Sequence, residues 1–186
     1  MAKLSVVIGS TRPGRVGLPI GQWFFERAKA HGKFEVGLVD LKAQNLPLLD
    51  EPKHPRLGEY ENEHTKAWSA LVKASDAFVF VTPEYNFSAP PSLLNAFDFL
   101  FHEWAYKAAG FVSYGGQSGG IRAVQMLKQP LIAMKVVGIP ESVAIPFFAQ
   151  HMEDGAFKGS EAFEKSAVTL LDELARWTDA LAVLRK

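Results

Sequence analysis

Hydrophobic positions along the chain follow two alternating rhythms. Short apolar runs rich in β-branched and aromatic residues recur at "LSVVIG" (4–9), "FEVGLVDL" (34–41), "DAFVFVTP" (76–83), "AAGFVSYGG" (108–116) and within "KVVGIPESVAI" (135–145). Runs of this length predict strands buried on both faces. Between them the spacing changes to that of a helix. Ile20, Trp23, Phe24, Arg27 and Ala28 share a face in 18–32, stopped by Gly32, and Trp68, Leu71 and Val72 do so in 59–75. Further helices are predicted from about Pro91 to Trp104, over 119–134 with a kink at Pro130, and over 160–184, where Phe163, Val168, Leu171, Leu174 and Trp177 carry the apolar side. Pro47, Pro52 and Pro55 make 44–58 a long loop.

Strands alternating with helices from end to end predict a parallel sheet covered on both faces. The count suits an α/β, flavodoxin-like three-layer sandwich whose five-stranded sheet has the order 2-1-3-4-5, in one domain spanning residues 1–186. Such sheets hold ligands beyond the carboxyl ends of their strands, near the reversal of strand order. The loops after strands one, three and four are therefore the candidates.

The first loop, "GSTRPGRVG", has the glycine spacing of a Walker loop at Gly9 and Gly14, but Arg15 and Val16 stand where the lysine and hydroxyl belong. Thr11 breaks the dinucleotide fingerprint. A phosphate cradle is still the preferred reading over a solvated turn: Ser10 and Thr11 offer hydroxyls, Arg12 and Arg15 forked donors, and a helix starts near Gly17. The second loop, "TPEYNFSAPP", is stiffened by prolines and offers Tyr85 and Asn86 to a flat ligand, or it is an ordinary strand-to-helix turn. The third, "SYGGQSGG", has four glycines in eight positions. It permits close backbone approach, with Gly115 and Gly116 as N–H donors and a helix dipole beginning near Gly119.

Taken together, "GSTRPGRVG", "TPEYNFSAPPSLLNAFDFL" and "SYGGQSGG" resemble the NAD(P)H-dependent FMN reductase family of flavin, quinone, azo-dye and chromate reductases, over nearly the whole chain. The resemblance implies that Ser10, Arg12, Arg15, Val16 and Gly17 bind the FMN phosphate. It implies that Pro83, Glu84, Tyr85 and Asn86 lie along the isoalloxazine, and that Ser113, Tyr114, Gly115 and Gly116 cover its pyrimidine edge. It further implies NADPH or NADH as electron donor, a small-molecule acceptor reduced in a ping-pong cycle, and a homodimer or homotetramer. No side chain is expected to act as a catalytic acid or nucleophile. Two positions depart from the family pattern: Arg15-Val16-Gly17 where members have a late serine or threonine, and Leu93-Leu94-Asn95-Ala96 where they often read "LKNA".

Composition narrows the alternatives. Formal charge is zero and apolar residues make up 48% of the chain, which argues against nucleic-acid binding by net charge and for a compact fold. Cysteine is absent, which excludes disulfides, thiolate nucleophiles and cysteine-ligated metals. His31, His54, His64, His102 and His151 are dispersed without ligand spacing, so no metal is expected. No apolar run is long enough for a membrane span and no export signal is evident, so the expected location is cytoplasmic. The aromatics of "AFDFLFHEWAY" (96–106) occupy more than one helical face, predicting one face on the sheet and another against a second subunit, unless the helix is wholly buried. Two rival functions stand beside the reductase: a flavodoxin-like electron carrier without pyridine-nucleotide activity, disfavoured by the lack of net acidity, and a non-redox phosphate binder.

Overall fold

The computed structural model of the protein describes residues 1–185. Five parallel strands, β1 (Ala2–Ile8), β2 (Phe34–Asp40), β3 (Ala77–Pro83), β4 (Ala108–Tyr114) and β5 (Val137–Ile145), form one sheet in the order β2-β1-β3-β4-β5. This is the flavodoxin-like order expected from the sequence. Val6 pairs with Leu38 on one side and Val79 on the other, so β1 and β3 sit on either side of the point where the order reverses. The fifth strand carries extra residues around Pro140 opposite Gly110, which shifts its register. A proline without an N–H is tolerated there because β5 is an edge strand.

Alternation along each strand sends side chains to two different layers. Leu4, Val6, Val79, Val81 and Val112 face α1 (Gly17–His31) and α6 (Glu161–Ala182), where they meet Phe24, Leu170 and Leu174. Val7, Phe78, Phe80 and Phe111 face α3 (Glu63–Ala74), α4 (Pro91–Asp98) and α5 (Ile121–Ala133), against Trp68, Phe97, Trp104 and Leu127. The central strands thus present aliphatic side chains to one layer and mainly aromatic rings to the other. Burial on both faces explains the uninterrupted apolar runs read from the sequence. A short helix α2 (Leu41–Gln44) follows β2, and a small hairpin of β6 (Met152–Glu153) and β7 (Ala156–Phe157) precedes α6.

One helix ends earlier than expected. The predicted helix from Pro91 to Trp104 stops at Asp98, and only a single 3₁₀ turn, His102–Trp104, follows. The chain therefore folds back, and Phe97, Phe99 and Trp104 all enter the same aromatic layer, fully buried. Phe97 lies 5.0 Å from Phe80 and 5.5 Å from Trp104, centre to centre, and the Trp104 indole N–H donates to the Phe97 carbonyl at 3.3 Å. The Phe97, Phe99 and Trp104 rings face inward, as in a wholly buried segment, while Phe101 and Tyr106 keep part of their surface exposed.

Candidate functional site

The first loop is tied to the rim of the sheet before it reaches α1. Gly9 N–H donates to the Val81 carbonyl at 2.9 Å, and Ser92 Oγ donates to the Gly9 carbonyl at 2.6 Å. Ser10 is buried, with its hydroxyl 2.9 Å from the Tyr85 hydroxyl of the second loop. The turn closes with Arg15 N–H donating to the Arg12 carbonyl at 3.2 Å, with Gly14 in the left-handed region at φ 68°. Helix α1 then starts without a side-chain cap, since Val16 has none to give, and its third residue is Pro19, which has no N–H. The Gly17 and Leu18 amides lie at the positive end of a fifteen-residue helix with no backbone hydrogen-bond partner among the described residues. Gly17 is required by the neighbouring phenol: a Cβ there would come 2.6 Å from Tyr114 Oη.

The two arginines of this loop do different things. Arg12 is exposed and has no ion-pair or hydrogen-bond partner for its guanidinium among the described residues. Arg15 is largely covered, with 9% of its side chain exposed. It donates from both terminal nitrogens to the Asp40 carboxylate at 2.5 Å each, and from Nη1 to the Ser10 carbonyl at 2.7 Å. That pairing holds the Asp40 carboxyl below the usual carboxylate range and raises Arg15, mainly through the hydrogen bonds between them. Arg15 still lines the cavity, but it braces Ser10 to the end of β2. The expectation that its charge is free for a phosphate is corrected on this point.

The second loop leaves β3 at Pro83. Tyr85 and Ser88 exchange backbone hydrogen bonds of 2.8 and 2.9 Å, and the two residues between them, Asn86 and Phe87, are left-handed at φ 50° and 68°. This is the geometry of a tight primed turn, for which asparagine is suited and phenylalanine is not. Glu84 faces the third loop instead of the cavity mouth. Its carboxylate accepts from Ser118 Oγ at 3.0 Å, Arg122 N–H at 3.2 Å and Arg122 Nε at 2.6 Å, and it pairs with the Arg122 terminal nitrogen as well. Burial pushes this carboxyl up, yet the donors from Arg122 and Ser118 overcome it and hold Glu84 below its ordinary range. Glu84 thereby caps α5 across the two loops.

Within the third loop the glycines are not equivalent. Gly115 N–H is already committed to the Ile145 carbonyl at 3.2 Å, whereas Gly116 N–H has no partner among the described residues. The expected pair of glycine donors is thus reduced to Gly116. The expected open dipole of the following helix is likewise met by Glu84. Ser113 is buried beneath the loop and donates to the Gly119 carbonyl at 2.7 Å, a structural bond. Burial, followed by the nearby Tyr85 hydroxyl, raises Tyr114 above the ordinary phenol range, so it stays a neutral hydrogen-bonding group.

These parts enclose one cavity of about 280 Å³. Ser10, Arg12, Arg15 and Val16 line it from the first loop, Pro83, Glu84 and Tyr85 from the second, and Tyr114, Gly115 and Gly116 from the third. Of the sequence candidates, Gly17, Asn86 and Ser113 do not line it. Phe148 does, in the stretch after Pro146 that its position makes a candidate wall of the acceptor pocket: it follows β5, its N–H donates to the Gly115 carbonyl at 3.3 Å, and its ring meets Tyr114 edge-on at 5.7 Å. The signal was its position just past the carboxyl end of the last strand. The long loop 44–58 does not line the cavity. It is fastened to α4, where Asn95 Nδ2 donates to the Pro47 carbonyl at 2.6 Å and Asn95 Oδ1 accepts from Leu49 N–H at 2.9 Å. Arg12 and Val16, just before α1, border the cavity on one side, and Tyr85, Tyr114 and Phe148 give it aromatic walls. Among the described residues no cluster of three or more His, Cys, Asp or Glu is placed to hold a metal, and no helix is long and apolar enough to cross a membrane.

Comparison with known proteins matches this geometry to a sequence family. A family model described as NADPH-dependent FMN reductase matches residues 2–150. An NAD(P)H-dependent FMN reductase of Schizosaccharomyces pombe is 44% identical over 126 residues, covering 67% of this chain and 63% of that protein, so the match spans under two thirds of the relative. The NAD(P)H-dependent FMN reductase LOT6 of Saccharomyces cerevisiae is 33% identical over 177 residues, covering 82% and 92%. Among solved structures, the flavoenzyme NAD(P)H:(acceptor) oxidoreductase FerB of Paracoccus denitrificans superposes with a TM-score of 0.75 at 24% identity, over 97% of this chain and 98% of that one, a likeness of fold.

Proposed function

The chain belongs to the NADPH-dependent FMN reductase family, a family of oxidoreductases, and from that premise we propose that it binds FMN in the three-loop cavity and reduces a small acceptor at the expense of NAD(P)H. The observation that carries this reading is the open start of α1 beside an unpaired Arg12. Two unpartnered amides at a helix start, and the exposed Arg12 guanidinium that lines the cavity five residues before the first of them, are donors suited to a phosphate monoester, with up to about two negative charges at neutral pH. Ser10 adds a buried hydroxyl whose position is set by Tyr85 and by the Arg15 brace.

Ser10, Arg12, Tyr85 and Gly116 would hold FMN, which when bound would supply two-electron redox chemistry between NAD(P)H and an acceptor in a ping-pong exchange. The chain's own residues bind and orient. Tyr85, Tyr114 and Phe148 give apolar walls for a planar ring, Gly116 N–H is the free amide for a ring carbonyl, and the neutral Tyr114 adds no charge. No side chain is needed to move a proton at the reacting atom. Quinones, azo compounds and free flavins are the acceptors this reading favours, in a homodimer or homotetramer.

Reconstitution with FMN followed by anaerobic addition of NADPH or NADH tests the reading. Bleaching of the flavin absorbance near its visible maximum within seconds is expected. Flavin that binds but is not bleached by either nucleotide would mark an electron carrier. Protein that leaves FMN unbound at tens of micromolar would mark a different phosphate ligand.

A further inference from the structure

Phe87 is the costliest residue of the second loop. It takes a left-handed backbone at φ 68°, where a bulky side chain is an outlier, and it leaves 65% of its surface in water. Strained conformations of this kind persist when the surrounding structure holds them, and they cluster at ligand sites and switches. The ring is also held. The Arg122 guanidinium lies 3.9 Å from its centroid, and Arg122 is fixed in turn by Glu84 and by Ser118 Oγ at 3.2 Å. A flat ring with one side covered and the rest open therefore stands two residues from Tyr85, which lines the cavity. The cavity, at about 280 Å³, lies at the low end for a single organic ligand. A second reactant stacking on the first must sit outside it, against the rim.

We propose that Phe87 is a specificity residue for the acceptor, a fixed aromatic wall at the rim of the cavity that favours flat aromatic acceptors over compact ones. This rests on the reductase reading above. Each NAD(P)H yields two electrons, which with two protons reduce one quinone to its quinol, or reduce two ferricyanide ions with release of one proton. Both acceptors draw on the same donor step, so the ratio of their kcat/KM values isolates recognition of the acceptor.

The test uses the FMN-loaded full chain with menadione and ferricyanide, comparing wild type with Phe87→Ala, Phe87→Gly and Phe87→Tyr. The menadione-to-ferricyanide ratio is expected to fall about fivefold to tenfold in the alanine and glycine variants, as loss of a ring–ring contact does, and to return within about twofold in the tyrosine variant. Phe87→Gly should also melt at a higher temperature than wild type, because glycine relieves the left-handed strain. A gain in melting temperature with a loss of discrimination is not what a merely structural residue gives. A ratio unchanged in both truncations overturns the proposal, as does a tyrosine variant that behaves like alanine. A shift of Phe87→Ala to a smaller oligomer in sedimentation overturns it too, by making the ring a subunit contact. If wild type reduces ferricyanide but the variants keep the ratio, only this inference fails; if wild type oxidises neither nucleotide, the reductase reading fails and this inference with it.

Discussion

The two rims of the sheet handle charge in opposite ways. At the amino rim the covered cations are answered. Lys107, buried behind β4, donates to the Val72 and Lys73 carbonyls at 2.6 and 3.3 Å, closing the end of α3. Arg185 donates to Asp76 Oδ1 at 3.1 Å and to the Tyr106 carbonyl at 3.0 Å, and Lys3 N–H reaches Asp76 Oδ2 at 2.8 Å. Even the left-handed Tyr106 and Lys135 are bonded to each other, Tyr106 N–H to the Lys135 carbonyl at 2.9 Å. At the carboxyl rim, Arg12, the first amides of α1 and the Phe87 ring are left open. Departures from full satisfaction mark functional regions, and at the carboxyl rim three of them come from the loops that border the cavity or start just beyond it.

The sharpest way to break this contrast is to remove the open cation. Arg12→Ala should weaken FMN binding by roughly 10- to 100-fold in a fluorescence titration, the range for losing charge-assisted hydrogen bonds to an anion. Arg185→Ala at the other rim should leave that affinity within about twofold, and an equal loss in both variants would erase the distinction. Removing the braced cation should act on the fold. Arg15→Ala is expected to cost about 2 kcal/mol in urea unfolding, as for a lost charged hydrogen-bond pair. Because Asp40 is held below its ordinary range, this contribution is complete above about pH 4 and is lost as pH falls through the lowered folded value, so the wild-type and variant curves should converge only in acid.

A smaller effect sharpens the amino side. Burial lowers Lys107 to about 8, below its unfolded value of about 10.4, so between these limits the unfolded chain holds the proton more firmly. Stability should therefore rise with pH from about 8 to about 10.4, relative to Lys107→Met, which lacks the titrating group. Melting temperatures taken across that window would show it, and parallel curves would refute it.

The strands were readable because burial on both faces leaves long apolar runs, and the three loops because a parallel sheet dictates where its ligands lie. The early stop of α4 was not. "FDFLF" has neither glycine nor proline to mark it, and the reversal depends on Trp104 docking beneath Phe97. The brace between Arg15 and Asp40 and the latch between Glu84 and Arg122 join residues 25 and 38 positions apart. Such pairs follow no periodicity, so the sequence showed the charged groups without showing which ones neutralise each other. Gly116 was separable from Gly115 only once Ile145 was seen to take the other amide.

The Glu84 carboxylate at the start of α5 has a directional consequence. Of the helices that begin at this rim, α5 already has its counter-ion built in, while α1 starts with two unpartnered amides a few residues after Arg12. An elongated molecule charged at a single end thus has one way round to enter. For the proposed FMN, the vacant helix would set the polarity of insertion before any shape is compared.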